Sequence, residues 1–412
     1  MIYKAWHGFC LCGEEGCFPS DAVRAEEPFC PLVFLVRRDG SVSRGIFAVS
    51  APGEIFEPES LNCLRPCRSE APGEFPSALK ALVEENGATV LNTFFSRAFP
   101  LLLRWTEKRE RGTRVTLVGL GDVGGTVLTG LALLGREIEE IAVYDPNAAL
   151  CMRYEMELNQ VLAQEVHPMP RIRIVGEDAL FACDLLVFTA SRGVPGLDST
   201  GLDVRMAQWE ANRSLIVPYA RRARESGFSG IFCQISDPVD LLAREVFLES
   251  NRTTAGEMDH AGLLPEQVQG FGLGVMAARA AYYAHKEGIP FDGGRVYGPH
   301  GTGLVAANHW GKHYDPAESE RLTLLARDAN LRVRELGFKP YIAPGLSSAA
   351  VSLLQMLRGQ PYYGSVPLGG VYFGCRSKRT VQGPSIVREE LSPSLLTRLE
   401  ETYRRLQEVN PA

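Results

Sequence analysis

No apolar run in this 412-residue chain is long enough to cross a bilayer. The longest, such as "AFPLLLRW", fall far short of the ~20 residues that a spanning helix needs. The opening residues, MIYKAWHGFC, lack a basic start followed by a long apolar core, so no signal peptide is expected and a cytoplasmic location is. Excess charge of one sign is also missing: 43 Lys+Arg against 49 Asp+Glu leave a formal net charge of −6. That balance gives no general electrostatic reason to bind nucleic acid or an anionic membrane. No internal repeat or low-complexity tract is present. What remains is an ordinary soluble composition, 45% hydrophobic and 22% charged, long enough for two or three domains.

Paired C-x2-C knuckles are absent, although there are ten cysteines and six of them lie in the first 67 residues: Cys10, Cys12, Cys17, Cys30, Cys63 and Cys67. "CLCGEEGC" and "CLRPC" have thiolates to offer zinc or an iron–sulfur cluster, but their spacings match no standard site. Free or redox-active thiols are the expectation, and no metal site is. Cys151, Cys183, Cys233 and Cys375 lie in apolar contexts, where a reduced cysteine acts as a small core residue.

Residues 31–50, "PLVFLVRRDGSVSRGIFAVS", read as two strands around a turn at Asp39-Gly40. Residues 76–105 have helical spacing, read as two helices broken near Gly87. After the charged connector "TEKRERGT" the pattern changes to alternating strands and helices. "RVTLVGL", "EIAVYD", "RIRIVG", "CDLLVFTAS" and "GIFCQIS" are the strands, and "GGTVLTGLALLG" and "NAALCMRYEMELNQVLAQ" are helices. Such alternation predicts an α/β fold with a doubly wound parallel sheet covered on both faces. The expected domains are a small α+β, Cys-bearing domain over 1–110, a Rossmann-type nucleotide-binding domain over 111–255 and a mixed α/β substrate domain over 256–412.

"VGLGDVGGTV" carries Gly119, Gly121, Asp122, Val123 and Gly124 in a G-x-G-x-x-G that directly follows a strand and opens a helix. Glycines there let the backbone approach a pyrophosphate, and the helix N-terminus supplies free N–H groups. Asp145 ends the next strand. A carboxylate at that point accepts from ribose hydroxyls and repels a 2′-phosphate, which favours NAD over NADP.

Four later segments resemble the lactate/malate dehydrogenase family, in that family's order: "FTASRGVPG" (188–196), "ISDPVD" (235–240), "GFGLGVMAARA" (270–280) and "VYGPHGTG" (296–303). The C-terminal "GSVPLGGVYFG" and the helix after it also fit, so the likeness covers about residues 112–410. The resemblance implies NAD-dependent reduction of a 2-oxo acid, a small carboxylic acid as partner, and a homo-oligomer (dimer or tetramer). It implies cofactor contacts at Thr189 and Ala190, His300 as the proton donor, Arg279 as the carboxylate clamp and Arg205 as the loop arginine that polarises the carbonyl. Imidazole titrates near neutral pH, and a guanidinium grips a carboxylate with two parallel bonds, so the residue types suit the chemistry.

Two departures stand out. The family's aspartate that orients the histidine aligns with Met276, and the asparagine of its S-N-P-V-D is here Asp237. Asp237 either takes over as the partner of His300, or binds a substrate group other than a simple carbonyl, or catalysis has been lost. In the last case the chain is a silent NAD-binding regulatory or redox-sensing protein. The active-site loop is several residues longer than the family's. Gly193 falls near the position that selects substrate, with Arg192 beside it to reach a second carboxylate or a cofactor phosphate, and a substrate bulkier than pyruvate is expected. Among the other histidines, His7 reads as exposed and His260 as structural or capping. His309 and His313 read as i, i+4 neighbours on a helix face without a metal. "RRARES" (221–226) reads as a solvated helix face.

Overall fold

The computed structural model describes residues 1–71, 73, 75–107, 111–161, 169–192 and 202–409, the side chains of 202–207 excepted. The N-terminal region forms a six-stranded mixed sheet from β1 (Ile2–Trp6), β2 (Phe9–Gly13), β3 (Val23–Arg24), β4 (Leu32–Val36), β5 (Ile46–Val49) and β6 (Ala88–Asn92), in the order β3-β1-β2-β4-β6-β5. Helices α1 (Ser77–Asn86) and α2 (Ala98–Thr106) flank β6 in the chain. The strands expected around Asp39-Gly40 exist but do not form a hairpin. β6 lies between them, parallel to β4 and antiparallel to β5. The break near Gly87 holds that whole strand, whose short apolar run, Ala-Thr-Val-Leu-Asn, cannot be told from a helix segment by periodicity alone. All ten cysteines are free thiols. Cys10 and Cys12 are buried together on β2, where the neighbouring Cys12 thiol lowers the pKa of Cys10.

From residue 113 the expected alternation is realised by β7 (Thr113–Val118), α3 (Asp122–Leu134), β8 (Ile138–Tyr144), α4 (Ala148–Asn159), β9 (Arg171–Ile174), β10 (Leu185–Phe188), α5 (Leu202–Glu225), β11 (Ile231–Gln234), α6 (Val239–Ser250) and β12 (Val268–Gly270). The parallel strands lie in the order β9-β8-β7-β10-β11-β12, the doubly wound arrangement with its switch point between β7 and β10. Alternation along the strands sends Leu117, Leu185 and Val187 to one apolar layer and Val118, Leu186 and Phe188 to the other.

Helix α7 (Leu273–Glu287) follows β12, ending at a left-handed Gly288. Then come the two-stranded pair β13 (Arg295–Tyr297) and β14 (Val305–Ala307), helices α8 (Pro316–Arg327) and α9 (Ala329–Glu335), and a π-helical turn over Pro344–Val351 that runs into α10 (Ser352–Leu357). Strands β15 (Tyr362–Leu368), β16 (Val371–Thr380) and β17 (Gly383–Ile386) continue the parallel sheet in antiparallel fashion beyond β12, making nine strands, and α11 (Pro393–Glu408) closes the described chain.

One reading of a charged segment is corrected. His309 and His313 lie in a turn between β14 and α8, not on a helix; the rings meet edge to face, and His309 stacks on Trp310. The "RRARES" segment lies at the end of α5 with Arg221, Glu225 and Ser226 exposed, and its arginines form ion pairs: Arg221 with Glu249, Arg222 with Glu177 and Arg224 with Asp259. Among the described residues no cluster of three His, Cys, Asp or Glu is arranged to hold a metal, and no helix is long and apolar enough to cross a membrane.

The N-terminal sheet is seated on this body. The Glu266 carboxylate accepts from the backbone N–H of Gly45 and of Ile46, at the start of β5, and Arg97 donates to the carbonyls of Gly262, Gly227 and Phe228.

Candidate functional site

The glycine motif occupies the β7–α3 turn at the switch point. Gly119 has φ +96°, and a Cβ there would run into the backbone of Ala190; at Gly124 a Cβ would strike the Gly119 carbonyl and the Thr189 hydroxyl. Thr189 thus sits against the turn, donating to the carbonyl of Gly119 at 2.7 Å. At Gly121, the N-cap of α3, a Cβ would meet nothing, and no side chain caps the helix. The amides of Asp122, Val123 and Gly124 therefore face an open approach, the arrangement that suits a pyrophosphate. Asp145 accepts from the N–H of Leu120 and of Asn147, both at 2.8 Å, so its carboxylate braces the turn. Each oxygen keeps a second lone pair for a ribose hydroxyl. These residues fit a dinucleotide. Lys339 lies beside the same helix terminus, 3.0 Å from the carboxylate of Asp122.

Beyond the ends of β10, β11 and β12 the chain brings His300 and Asp237 together. His300 occupies the loop between β13 and β14. Its Nδ1 lies 2.8 Å from the carbonyl oxygen of Gly272, the N-cap of α7, and its backbone N–H donates to Asp240 Oδ2 at 2.9 Å. A carbonyl can only accept, so Nδ1 carries the proton. Nε2 then faces Asp237, with Oδ1 3.8 Å away. That separation is an ion-pair distance, too long for a hydrogen bond. Asp237 is about half exposed. Asn212, fully buried, holds this corner: its amide donates to the Asp237 carbonyl at 2.7 Å and accepts from the Arg192 N–H at 2.9 Å. Asp240, at the start of α6, is buried, and desolvation raises its pKa.

Arg279, two turns along α7 from Gly272, is half-buried. Among the described residues its guanidinium has no carboxylate partner; it reaches only the Met276 thioether (3.8 Å) and the Ala326 carbonyl (3.5 Å). Desolvation pushes its pKa below the usual arginine value, while Tyr283 and Asp237 pull the other way. Met276 is buried in the apolar cluster of α7. The side chain of Arg205 on α5, and the whole of Gly193, lie outside the described residues; Arg192 is exposed at the last described position before them.

Three residues of this corner escape a motif reading. Gly272 acts through its carbonyl, which no side-chain pattern reveals. Ser348 donates to that same carbonyl at 2.6 Å and accepts from the Val275 N–H, so it fixes the acceptor. Asp240 is the final residue of "ISDPVD", and its partner is sixty positions away.

No protein-family profile matches the chain. It is 30% identical over 203 residues to the L-lactate dehydrogenase of Treponema denticola, a match spanning 48% of this chain and 58% of that one. It is 28% identical over 258 residues to L-lactate dehydrogenase 1 of Bacillus cereus, spanning 61% and 73%. The first of these matches therefore covers little more than half of its relative. Among solved structures, the malate dehydrogenase of Archaeoglobus fulgidus in complex with NADH superposes with a TM-score of 0.58 at 19% identity, over 72% of this chain and 97% of that one. The chain thus shares its fold, over 72% of its length, with that malate dehydrogenase. It is similar in sequence to L-lactate dehydrogenases over about half of its length, and in fold to a malate dehydrogenase.

Proposed function

We propose that the chain is an NAD-dependent oxidoreductase acting on a 2-hydroxy/2-oxo acid. The observation that carries this reading is the lone guanidinium of Arg279. A half-buried cation with no carboxylate partner among the described residues costs stability, and a substrate carboxylate would repay that cost. NAD(H), when bound over the Gly119–Gly124 turn, supplies or accepts the hydride. Every other role belongs to side chains. Arg279 holds the acid through its carboxylate. His300, with Nδ1 committed to Gly272, moves the proton of the C2 oxygen through Nε2. Asp237 lies on the reactive side of the ring and stabilises the imidazolium in place of the carboxylate lost at Met276. Arg205, which lies in the first turn of α5 and not on a loop, is assigned the role of polarising the carbonyl, and Arg192 a second anionic contact. Asp145 favours NAD over NADP.

The protein is taken to act as a soluble homo-oligomer in the cytoplasm, in keeping with its relatives' family. The rival reading is a silent NAD-binding protein, supported by the missing aspartate. NADH oxidation against a panel of 2-oxo acids, including acids bulkier than pyruvate, separates the two. Turnover that is lost in Arg279→Ala and falls about 10²–10⁴-fold in His300→Gln supports the enzyme; NADH binding with no turnover on any acid supports the rival.

A further inference from the structure

A cavity lined mostly by apolar side chains, with a few polar and charged groups on its wall, lies at the seam between the N-terminal sheet and the rest of the chain. It encloses about 110 Å³, whereas a lone water needs only about 10–15 Å³. Its walls come from several parts of the chain, the β15–β16 turn and Glu59 among them. The loop after Asp39 supplies Ser41 and Ser43, α6 supplies Arg244, and the segment before β12 supplies His260.

Two of these side chains are left wanting. Arg244 donates through Nε to the Gly370 carbonyl at 3.3 Å, and among the described residues its terminal nitrogens have no partner. Burial lowers its pKa, and the charge of the neighbouring Glu245 is taken up by Arg213 at 2.6 Å. His260 is held at φ +52°, unusual for a residue with a Cβ, with its ring against Phe94 and Phe247. Its Nδ1 is buried and makes no hydrogen bond. An orphaned ring nitrogen and an unpaired guanidinium in one cavity both cost free energy that a bound acceptor relieves. Glu59 is the one carboxylate on the wall, and Arg44 neutralises it at 2.9 Å.

We propose that this cavity is a binding site for a small oxyanion, a phosphate or a carboxylate, held by Arg244 and His260 and distinct from the substrate pocket. The site joins both parts of the protein, because Ser41 and Ser43 belong to the N-terminal region and Arg244 to the body. Asp240, one turn before Arg244 on α6, accepts from the backbone of His300. Occupancy is therefore placed to bear on the catalytic loop; that consequence, unlike binding itself, rests on the dehydrogenase reading.

The test is calorimetric titration of the full chain with inorganic phosphate and, separately, with acetate, each against sodium chloride at equal ionic strength. Saturable binding of either ion is expected, and which one binds identifies the source. Arg244→Gln and Ser41→Glu, the second on an exposed residue at the rim, should each weaken it tenfold or more, and Arg279→Gln should leave it intact. If Arg244→Gln does not fold, Ser41→Glu decides alone. No saturable binding, an equal response to chloride, undiminished binding in Ser41→Glu, or loss in Arg279→Gln overturns the proposal.

Discussion

The Nδ1 of His300 donates to the carbonyl oxygen of Gly272 at 2.8 Å, so the ring is oriented by the backbone at the start of α7. In the family this chain resembles, an aspartate does that work, and the resemblance aligns Met276 with it. A carbonyl fixes the tautomer and aims Nε2 as well as a carboxylate does, but its partial charge stabilises imidazolium less. On the proposed reading the negative charge comes from the other side of the ring, where Asp237 lies 3.8 Å from Nε2.

From that juxtaposition follows a prediction for Asp237→Asn, which removes the charge 3.8 Å from Nε2. Turnover near pH 7 should drop at least tenfold while NADH affinity stays nearly unchanged. Steady-state rates and NADH titrations measure both; near-normal turnover removes Asp237 from the account.

Arg279 should show a conflict between stability and function. Its desolvated charge has no carboxylate partner among the described residues, so Arg279→Met relieves a cost. Thermal melts should show a midpoint raised by about 2 °C in the absence of substrate. Two charge-assisted hydrogen bonds to the acid are lost in the same variant, and kcat/KM should fall by about two to three decades.

Glu266 ties the N-terminal sheet to the body, and burial pushes its carboxyl up to about 7 despite the backbone N–H groups of Gly45 and Ile46. The folded protein therefore keeps this proton at pH values where the unfolded chain has released it. Stability from this group is full below the ordinary glutamate pKa of about 4.3 and is lost as pH rises through about 7. Glu266→Gln should remove that component. Denaturant unfolding of both proteins across pH 4–8 reads it as a smaller decline in the variant.

The sequence was most readable where one residue type has one physical use. Val115 to Val118 are buried by a sheet covered on both faces, and Gly119 is needed because a Cβ would meet Ala190. Both leave a local signature, so the doubly wound sheet and its turn could be drawn from the pattern. β6 was not, because five residues between two helices carry too short a period to identify a strand. Its place between β4 and β5 depends on contacts across the sheet that no window contains. The corner around His300 was half visible. His300, Asp237 and Arg279 are side chains in motifs, whereas Gly272 contributes a carbonyl, and Ser348 and Asp240 reach it from 76 and 60 positions away from their partners. At 221–226 the arginine spacing shows which face is polar but not which carboxylates pair with it.

The most direct test of the account is a crystal structure of the protein with NADH and oxamate, an unreactive mimic of a 2-oxo acid. The prediction is His300 Nε2 about 2.6–3.2 Å from the carbonyl-type oxygen of the acid, with its carboxylate on the guanidinium of Arg279. An acid bound away from Arg279, or an imidazole more than a water's width from that oxygen, would contradict the assignment of His300 as the group that moves the proton.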